Sequence, residues 1–177
     1  MIWVVVPAAG RGTRFGGELP KQYLEVAGRP LIAHTLDALL SHPSVSGAVV
    51  VLADDDRHWR GVESPGGKPV TTCIGGAERA DSVLAGLNAL PDTVRADEFV
   101  LVHDAARPLA SLELWKLAVA TIEAGAAAAV PGVAVVDTIK RVAGARVVET
   151  VARDDLIAVQ TPQAFRSDVL RAAHANN

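Results

Sequence analysis

Sulfur, aromatic rings and an excess of either charge are all scarce in this 177-residue chain. Cys73 is the only cysteine, which excludes a disulfide within the chain and a cysteine-built metal site; a reducing cytoplasm is the expected setting. Five scattered histidines add no ligand pattern for structural zinc. Aromatic residues make up 4% of the chain while half of it is hydrophobic, so its core must be built mostly from Ala, Val and Leu packed between helices and sheet. The net charge of −3 supplies no general basic field and argues against nucleic acid as a partner. Long apolar runs are missing too. The most apolar stretch, 126–136, falls short of the roughly 18 residues of a membrane span and is broken by Pro131 and Gly132. Residues 2–6 are apolar but lack a basic leader, so no signal peptide is expected. The expectation is a soluble protein with no membrane partner, forming one domain over 1–177.

What is present is alternation. Apolar runs at 2–6, 48–52, 70–74, 99–103 and 127–130 read as strands, and 30–40, 55–63, 78–90 and 111–124 carry helical spacing. Pro30 suits a first helical turn, Ser111 suits an N-cap and Gly125 a helix stop. Residues 167–177 read as a last helix. Near-continuous apolar strands alternating with helices predict an α/β fold of Rossmann-like kind, a mainly parallel sheet covered by helices on both faces. Ligands of such sheets bind beyond the carboxyl ends of the strands. Segment 137–155 departs from the pattern: two alternating runs flank Ala143-Gly144-Ala145, a hairpin signal. A polar, basic hairpin has little to bury on its own sheet. It reads as a protruding arm that packs on another subunit, or else as a solvated β-excursion.

The loops after the strands carry the chemistry. Residues 7–21, P-A-A-G-R-G-T-R-F-G-G-E-L-P-K, combine Gly10, Gly12, Gly16 and Gly17 with Arg11, Arg14 and Lys21. Small residues let backbone N–H groups approach an anion, and the cations supply counter-charge. The glycines do not fall as G-x-G-x-x-G, and no Gly-Lys-Ser or Gly-Lys-Thr occurs, so neither a dinucleotide fold fingerprint nor a P-loop is present. A triphosphate laid along the loop fits better; the plainer reading is a βα connection whose glycines serve turns. After the third run, Gly75-Gly76 permits close approach of a flat nucleobase, and Arg79 and Ser82 share one helix face; the plainer reading is a strand–helix turn. After the fourth, V-H-D-A-A-R-P places Asp104 where a carboxylate can hold a divalent cation and Arg107 where a guanidinium can grip a phosphate, unless the two merely pair across a turn. His103 reads as a packed strand residue. Together the loops point to a nucleoside triphosphate, a metal ion and a phosphorylated acceptor.

Five ordered blocks then carry a resemblance: P-A-A-G-R-G-T-R-F with P-K-Q-Y over 7–23, G-G-A-E-R-A-D-S-V-L-A-G-L at 75–87, V-H-D-A-A-R-P at 102–108, D-T-I-K at 137–140 and Q-T-P-Q-A-F at 160–165. They resemble the 2-C-methyl-D-erythritol 4-phosphate cytidylyltransferase family over essentially the whole chain. The resemblance implies a fold of the nucleotide-diphospho-sugar transferase type. It implies cytidylyl transfer from CTP to methylerythritol phosphate in non-mevalonate isoprenoid synthesis, with Mg2+. It also implies roles. Arg14 and Lys21 are the catalytic basic pair, and Ala8, Ala9, Gly10 and Gly12 line the triphosphate. Gly75, Gly76 and Ser82 surround cytosine and ribose. Asp104, as metal ligand, lies with Ala105 and Arg107 by the acceptor. Thr138 and Arg153 reach the acceptor from the partner of a cytoplasmic homodimer joined through the arm. Family members continue past 167–177 through a further strand and helix with another acceptor-site lysine, a part expected to be absent here. Alternatives are transfer to another polyol phosphate such as ribitol 5-phosphate, or a nucleotide-binding module without turnover.

Overall fold

The structure, a computed structural model, describes residues 1–10 and 19–175. Its main sheet has the order β5-β4-β1-β6-β12-β7 among the described residues, built from β1 (Ile2–Pro7), β4 (Val45–Leu52), β5 (Val70–Ile74), β6 (Phe99–Val102), β7 (Ala128–Ala129) and β12 (Gln163–Arg166). The pairs β5–β4, β4–β1 and β1–β6 are parallel, and β12 runs antiparallel between β6 and β7. Two small strands, β2 (Glu25–Val26) and β3 (Arg29–Pro30), form a tight hairpin about Ala27 and Gly28, both at positive φ.

Strand pleating divides the core. Ile2, Val4 and Val6 of β1 pack in one cluster with Leu36 and Leu39 of α1 (Leu31–Leu40) and Trp115, Ala118 and Ile122 of α3 (Leu112–Glu123). Trp3 and Val5 point the other way, to Val83 and Leu87 of α2 (Arg79–Asn88) and Leu170 of α4 (Ser167–Ala175). The expected α/β sandwich is thus found, with a buried tryptophan, Trp115 or Trp3, on each face. Burying each such aliphatic side chain contributes about 1.5–3 kcal/mol, so a Val- and Leu-rich core needs few rings. Gly86 lets α2 lie close on β1, because a methyl there would collide with Val5 Cγ1.

The order of the sheet fixes where a ligand can sit. From β1 the chain steps to β4 and β5 on one side and to β6 on the other, so a crevice opens beyond the carboxyl ends of β1 and β6.

Several expectations need correction. Residues 55–63 form no helix: Asp56 turns its carboxylate onto its own backbone, accepting from the amides of His58 and Trp59 at 2.9 Å each, and Gly61 takes φ +77°. Asp offers the chain an alternative to helical bonding, and it prevails here. Pro30 precedes α1 rather than opening its first turn. The run at 48–52 extends back to Val45, and that at 127–130 shortens to Ala128–Ala129. Strand β12 was not anticipated. Ser111 does cap α3, accepting from Leu114 N at 3.2 Å, and Gly125 follows that helix at φ +104°.

The arm is present as a hairpin of β9 (Ile139–Ala143) and β10 (Arg146–Val151), turning at Gly144 with φ +59°. It is ruled by cross-strand polar pairs, Arg141 Nε to Glu149 Oε2 at 2.7 Å and Lys140 Nζ to Thr150 Oγ1 at 2.6 Å. A second ribbon not read from the sequence, β8 (Gly132–Ala134) with β11 (Ile157–Val159), lies at its root.

Candidate functional site

A cleft of about 340 Å³ lies at the crevice, lined by Ala8, Ala9 and Gly10 after β1, by Lys21 and Gln22, by 76–79 and Ser82 at the start of α2, and by Asp104, Ala105 and Ala106 after β6. Most of the residues singled out in the sequence meet here. Gly75 lies one residue outside the lining, on a neighbouring cleft with Ala9 and Gly10, and Arg107 lines an adjoining hollow with Gln160 and Thr161. Arg14 and Gly12, with Arg11, Gly16 and Gly17, lie outside the described residues.

The wall after β1 is held from two sides. Ala8 donates its amide to Val51 O at 2.7 Å, which continues the sheet past Pro7. Gln22, buried in a one-turn 3-10 segment (Lys21–Tyr23), donates Nε2 to Ala8 O at 2.7 Å and to Gly10 O at 3.4 Å. Those carbonyls are thereby taken up, while the amides of Ala9 and Gly10 find no acceptor among the described residues. Backbone with carbonyls tied and amides open suits an anion. Within P-K-Q-Y the sequence gives Gln22 no role of its own. Its burial beside a small-residue loop is what gives it one.

Lys21, the first residue of the same turn, is exposed at the cleft edge, and no carboxylate pairs with it among the described residues.

The paired glycines serve a use beyond open approach. A methyl at Gly75 would stand 2.6 Å from Ser82 Oγ and 3.0 Å from Ala9 Cβ, and one at Gly76 would collide with Asp81 Cβ. The turn from β5 to α2 therefore closes tightly on the β1 loop and buries Ser82 at the cleft. Asp81 accepts from the Glu78 amide at 3.0 Å, which fixes the helix start. The N-terminus of α2, with its partial positive charge, thus faces the cleft.

Asp104 sits two residues past β6 and holds two arginines. Arg79 Nη2 lies 3.3 Å from Oδ1 and Arg107 Nε 2.9 Å from Oδ2. Its own amide donates to Thr161 Oγ1 at 3.3 Å, and Arg107 reaches Gln160 Oε1. The Q-T-P-Q block, which carried resemblance without chemistry, is the brace behind this turn, with a cis bond at Thr161-Pro162. Asp104 thus both lines the cleft and pairs with Arg107 across a turn, while Arg107 itself belongs to the adjoining hollow. Thr35 Oγ1 also donates to Ala105 O at 2.8 Å.

His103 is fully buried, as expected of a packed strand residue. It bonds Nε2 to Arg107 O at 2.9 Å and lies near the Trp115 ring, while Nδ1 lacks a partner among the described residues. Burial lowers its pKa, outweighing the raising effects of the Arg107 carbonyl and the Asp104 charge. His42 is lowered too, by burial and then by Lys68 and Lys116. A depressed histidine contributes stability above its ordinary value near 6.5 and loses it as pH falls through the folded-state value. Thermal unfolding is therefore expected at lower temperature as pH falls from about 7.5 to about 5.5, and His103→Gln should flatten that trend. An unchanged slope in the variant would remove His103 as its source.

Thr138 and Arg153 flank the β9–β10 hairpin rather than lying in its strands, and neither lines the cleft of its own chain. Arg153 bonds to Val136 O. Among the described residues no group of three or more His, Cys, Asp or Glu side chains could by itself hold a metal ion, and no helix is long and apolar enough to cross a membrane.

Comparison with known proteins bears on this cleft as a whole. The family model for 2-C-methyl-D-erythritol 4-phosphate cytidylyltransferase matches residues 2–177. The protein of that name from Stenotrophomonas maltophilia is 58% identical over 176 residues, covering 97% of this chain and 75% of the relative. The crystal structure of the Francisella tularensis enzyme of that name superposes with a TM-score of 0.80 at 31% identity, covering 99% of this chain and 76% of the other. That from Thermus thermophilus gives 0.72 at 35%, covering 98% and 74%.

Proposed function

The chain belongs to the 2-C-methyl-D-erythritol 4-phosphate cytidylyltransferase family, and on that premise we propose a working order for its cleft. The reaction is transfer of a cytidylyl group from CTP to 2-C-methyl-D-erythritol 4-phosphate in isoprenoid biosynthesis. An oxygen of the acceptor phosphate attacks the α-phosphorus in line, the bond from that phosphorus to the bridging oxygen breaks, and pyrophosphate leaves with the electron pair. Such chemistry asks the protein for position and charge rather than for a covalent intermediate.

The amides of Ala9 and Gly10 cradle the triphosphate, and Lys21, with Arg14, offsets the charge gathering on the α-phosphate and the departing pyrophosphate. The nucleoside lies against Gly75, Gly76 and Ser82. Arg107 and Asp104, with Ala105 between them, face the acceptor. Mg2+ fits a site of this kind: it commonly takes one or two protein carboxylates and draws its other oxygens from substrate phosphates and water. Asp104 is the carboxylate that would hold it. The ion, when bound, neutralises triphosphate charge.

The carrying observation is the meeting, in one cleft, of loop amides and a lysine without partners among the described residues and a carboxylate held by Arg79 at the cleft and by Arg107 beside it. Pyrophosphate release with CTP and a panel of acceptor phosphates tests it. Release with methylerythritol phosphate is expected. Release with ribitol 5-phosphate alone would move the acceptor assignment, and none with any acceptor would leave only a nucleotide-binding module.

A homodimer completes the proposal. Val136, Val142, Val147, Val148 and Ile157 are 77, 59, 62, 57 and 61% exposed on the arm and its root. An isolated two-stranded ribbon is marginal in water, and clustered exposed valines call for a covering surface. A second copy provides it and brings Thr138 and Arg153 to the acceptor. Arg153→Ala should then raise KM for the acceptor at least about ten-fold with little change for CTP, a loss of one charged hydrogen bond. An acceptor KM left at its original value would sink that assignment. Cytoplasmic placement agrees with these substrates.

A further inference from the structure

The three side chains of the Lys21–Tyr23 turn go to three places. Lys21 stands at the cleft edge, Gln22 reaches back to the β1 loop, and Tyr23, 5% exposed, enters the core cluster that contains Val6, Ile32 and Leu36. The Tyr23 hydroxyl donates to Asp56 Oδ2 at 2.6 Å, across 33 residues of sequence. Asp56 is fixed in turn, since its other oxygen accepts the amides of His58 and Trp59. The His58 ring packs on the Tyr23 ring with centroids 5.3 Å apart. Neither Tyr23 nor Asp56 lines the cleft.

We infer that Asp56 is a positioning residue for the transfer reaction: through the Tyr23 hydroxyl it locks the turn that aims Lys21 and Gln22 at the triphosphate loop. The geometry makes this more than core packing. A tyrosine ring alone fills the cluster, but a one-turn segment with Pro20 before it and no side-chain cap has, among the described residues, two backbone bonds of its own, Tyr23 N to Pro20 O at 2.9 Å and Leu24 N to Lys21 O at 3.2 Å. So short a segment can rotate about its ends, and rotation would swing Lys21 and Gln22 together. A bond from its last residue to a carboxylate anchored on another loop removes that freedom. The ionisation of the pair agrees. Burial, then the bond to Asp56, raises the Tyr23 pKa, so the hydroxyl stays a donor. Burial would raise Asp56, but the Tyr23 hydroxyl and the two amides outweigh it and keep the carboxyl below its ordinary range, so it stays an acceptor. It also gives the irregular loop at 53–64 a purpose, because a helix there would not present this Asx turn.

The inference rests on the cytidylyltransferase reading. Tyr23→Phe keeps the ring and removes the donor, and Asp56→Asn keeps the Asx acceptor and removes the charge. These two, and the double variant, are to be measured for kcat, KM and thermal unfolding, each also in a Lys21→Ala background. Both singles and the double are expected to lose kcat by a similar roughly ten- to hundred-fold, as for a small displacement of a charge-stabilising group, with acceptor KM little changed. In the Lys21→Ala background the same changes should cost several-fold less than in the unmodified protein, because the charge they position is gone and only the hold of Gln22 on the β1 loop still depends on the turn. A lowered unfolding temperature with kcat intact, or an undiminished loss without Lys21, would overturn the inference. Should the unmodified protein release no pyrophosphate, the functional reading fails while the strut is still judged by exchange of the Gln22 side-chain amide hydrogens in NMR. Exchange at least about ten-fold faster in Tyr23→Phe supports the lock, and unchanged exchange refutes it.

Discussion

Lys21→Ala is expected to lower kcat by at least about 100-fold, on the scale of the ~3 kcal/mol lost when one charge-stabilising donor is removed. The argument begins with the backbone. Pro20 fixes the entry to the 3-10 turn, Gln22 and Tyr23 anchor its buried side, and Lys21 is left at the cleft edge facing the small-residue loop after β1. No carboxylate among the described residues competes for its ammonium group, so its charge is available to substrate. Its effect should fall on kcat more than on the KM for CTP, because negative charge on the leaving pyrophosphate grows between ground state and transition state. A variant that only raised the KM for CTP would show that Lys21 holds the triphosphate uniformly and does not favour the transition state. Lys21→Arg should recover only part of the rate, since a planar fork cannot replace a compact point charge in place. Arg14, outside the described residues, is expected to match the loss, and the double variant should fall short of the product of the singles if the two cations act on one developing charge.

How much of this could be read from sequence follows from which interactions are local. The parallel strands announce themselves as apolar runs because both of their faces are covered, and α2 and α3 by their spacing and ends. Gly144 marks the arm's turn as a left-handed position would. Strand β12 was missed because Gln163 to Arg166 alternates only weakly and earns its place in the sheet by pairing with β6, which no local pattern reveals. The false helix at 55–63 arose because charged and apolar residues fell at helical spacing, while the Asp56 side chain took the backbone elsewhere. The site divides the same way. Ala8 to Gly10, Lys21, Ser82 and Asp104 were legible because each sits in a loop right after a strand or opens the helix that follows one. Gln22, Gln160 and Asp56 were not, since each acts on a partner 12 to 53 residues away. Gly75 and Gly76 were read as room for a base; their contacts show that they first make room for Ser82 and Asp81.

Asp104→Asn should separate stability from activity more sharply than any other single change. Asp104 is 31% exposed, and its arginine partners, Arg79 and Arg107, are 51 and 43% exposed. Ion pairs so accessible to water contribute about 0–1 kcal/mol each, so the neutral isostere should unfold within a few degrees of the unmodified protein. The backbone bond to Thr161 Oγ1 and the buried His103 beside it are untouched by the change, so the turn keeps its shape. Function should not survive as well. The amide carries no charge to set the two guanidinium groups or to hold a divalent cation against triphosphate, and both losses fall on the transition state, where charge is greatest. A fall in kcat of at least about 100-fold is expected, with half-maximal activity moved to higher Mg2+ concentration. The Mg2+ shift is the discriminating reading. If kcat collapsed at an unmoved Mg2+ midpoint, Asp104 would be an organiser of Arg79 and Arg107 only, and the metal would have to be held by the substrate phosphates without this carboxylate.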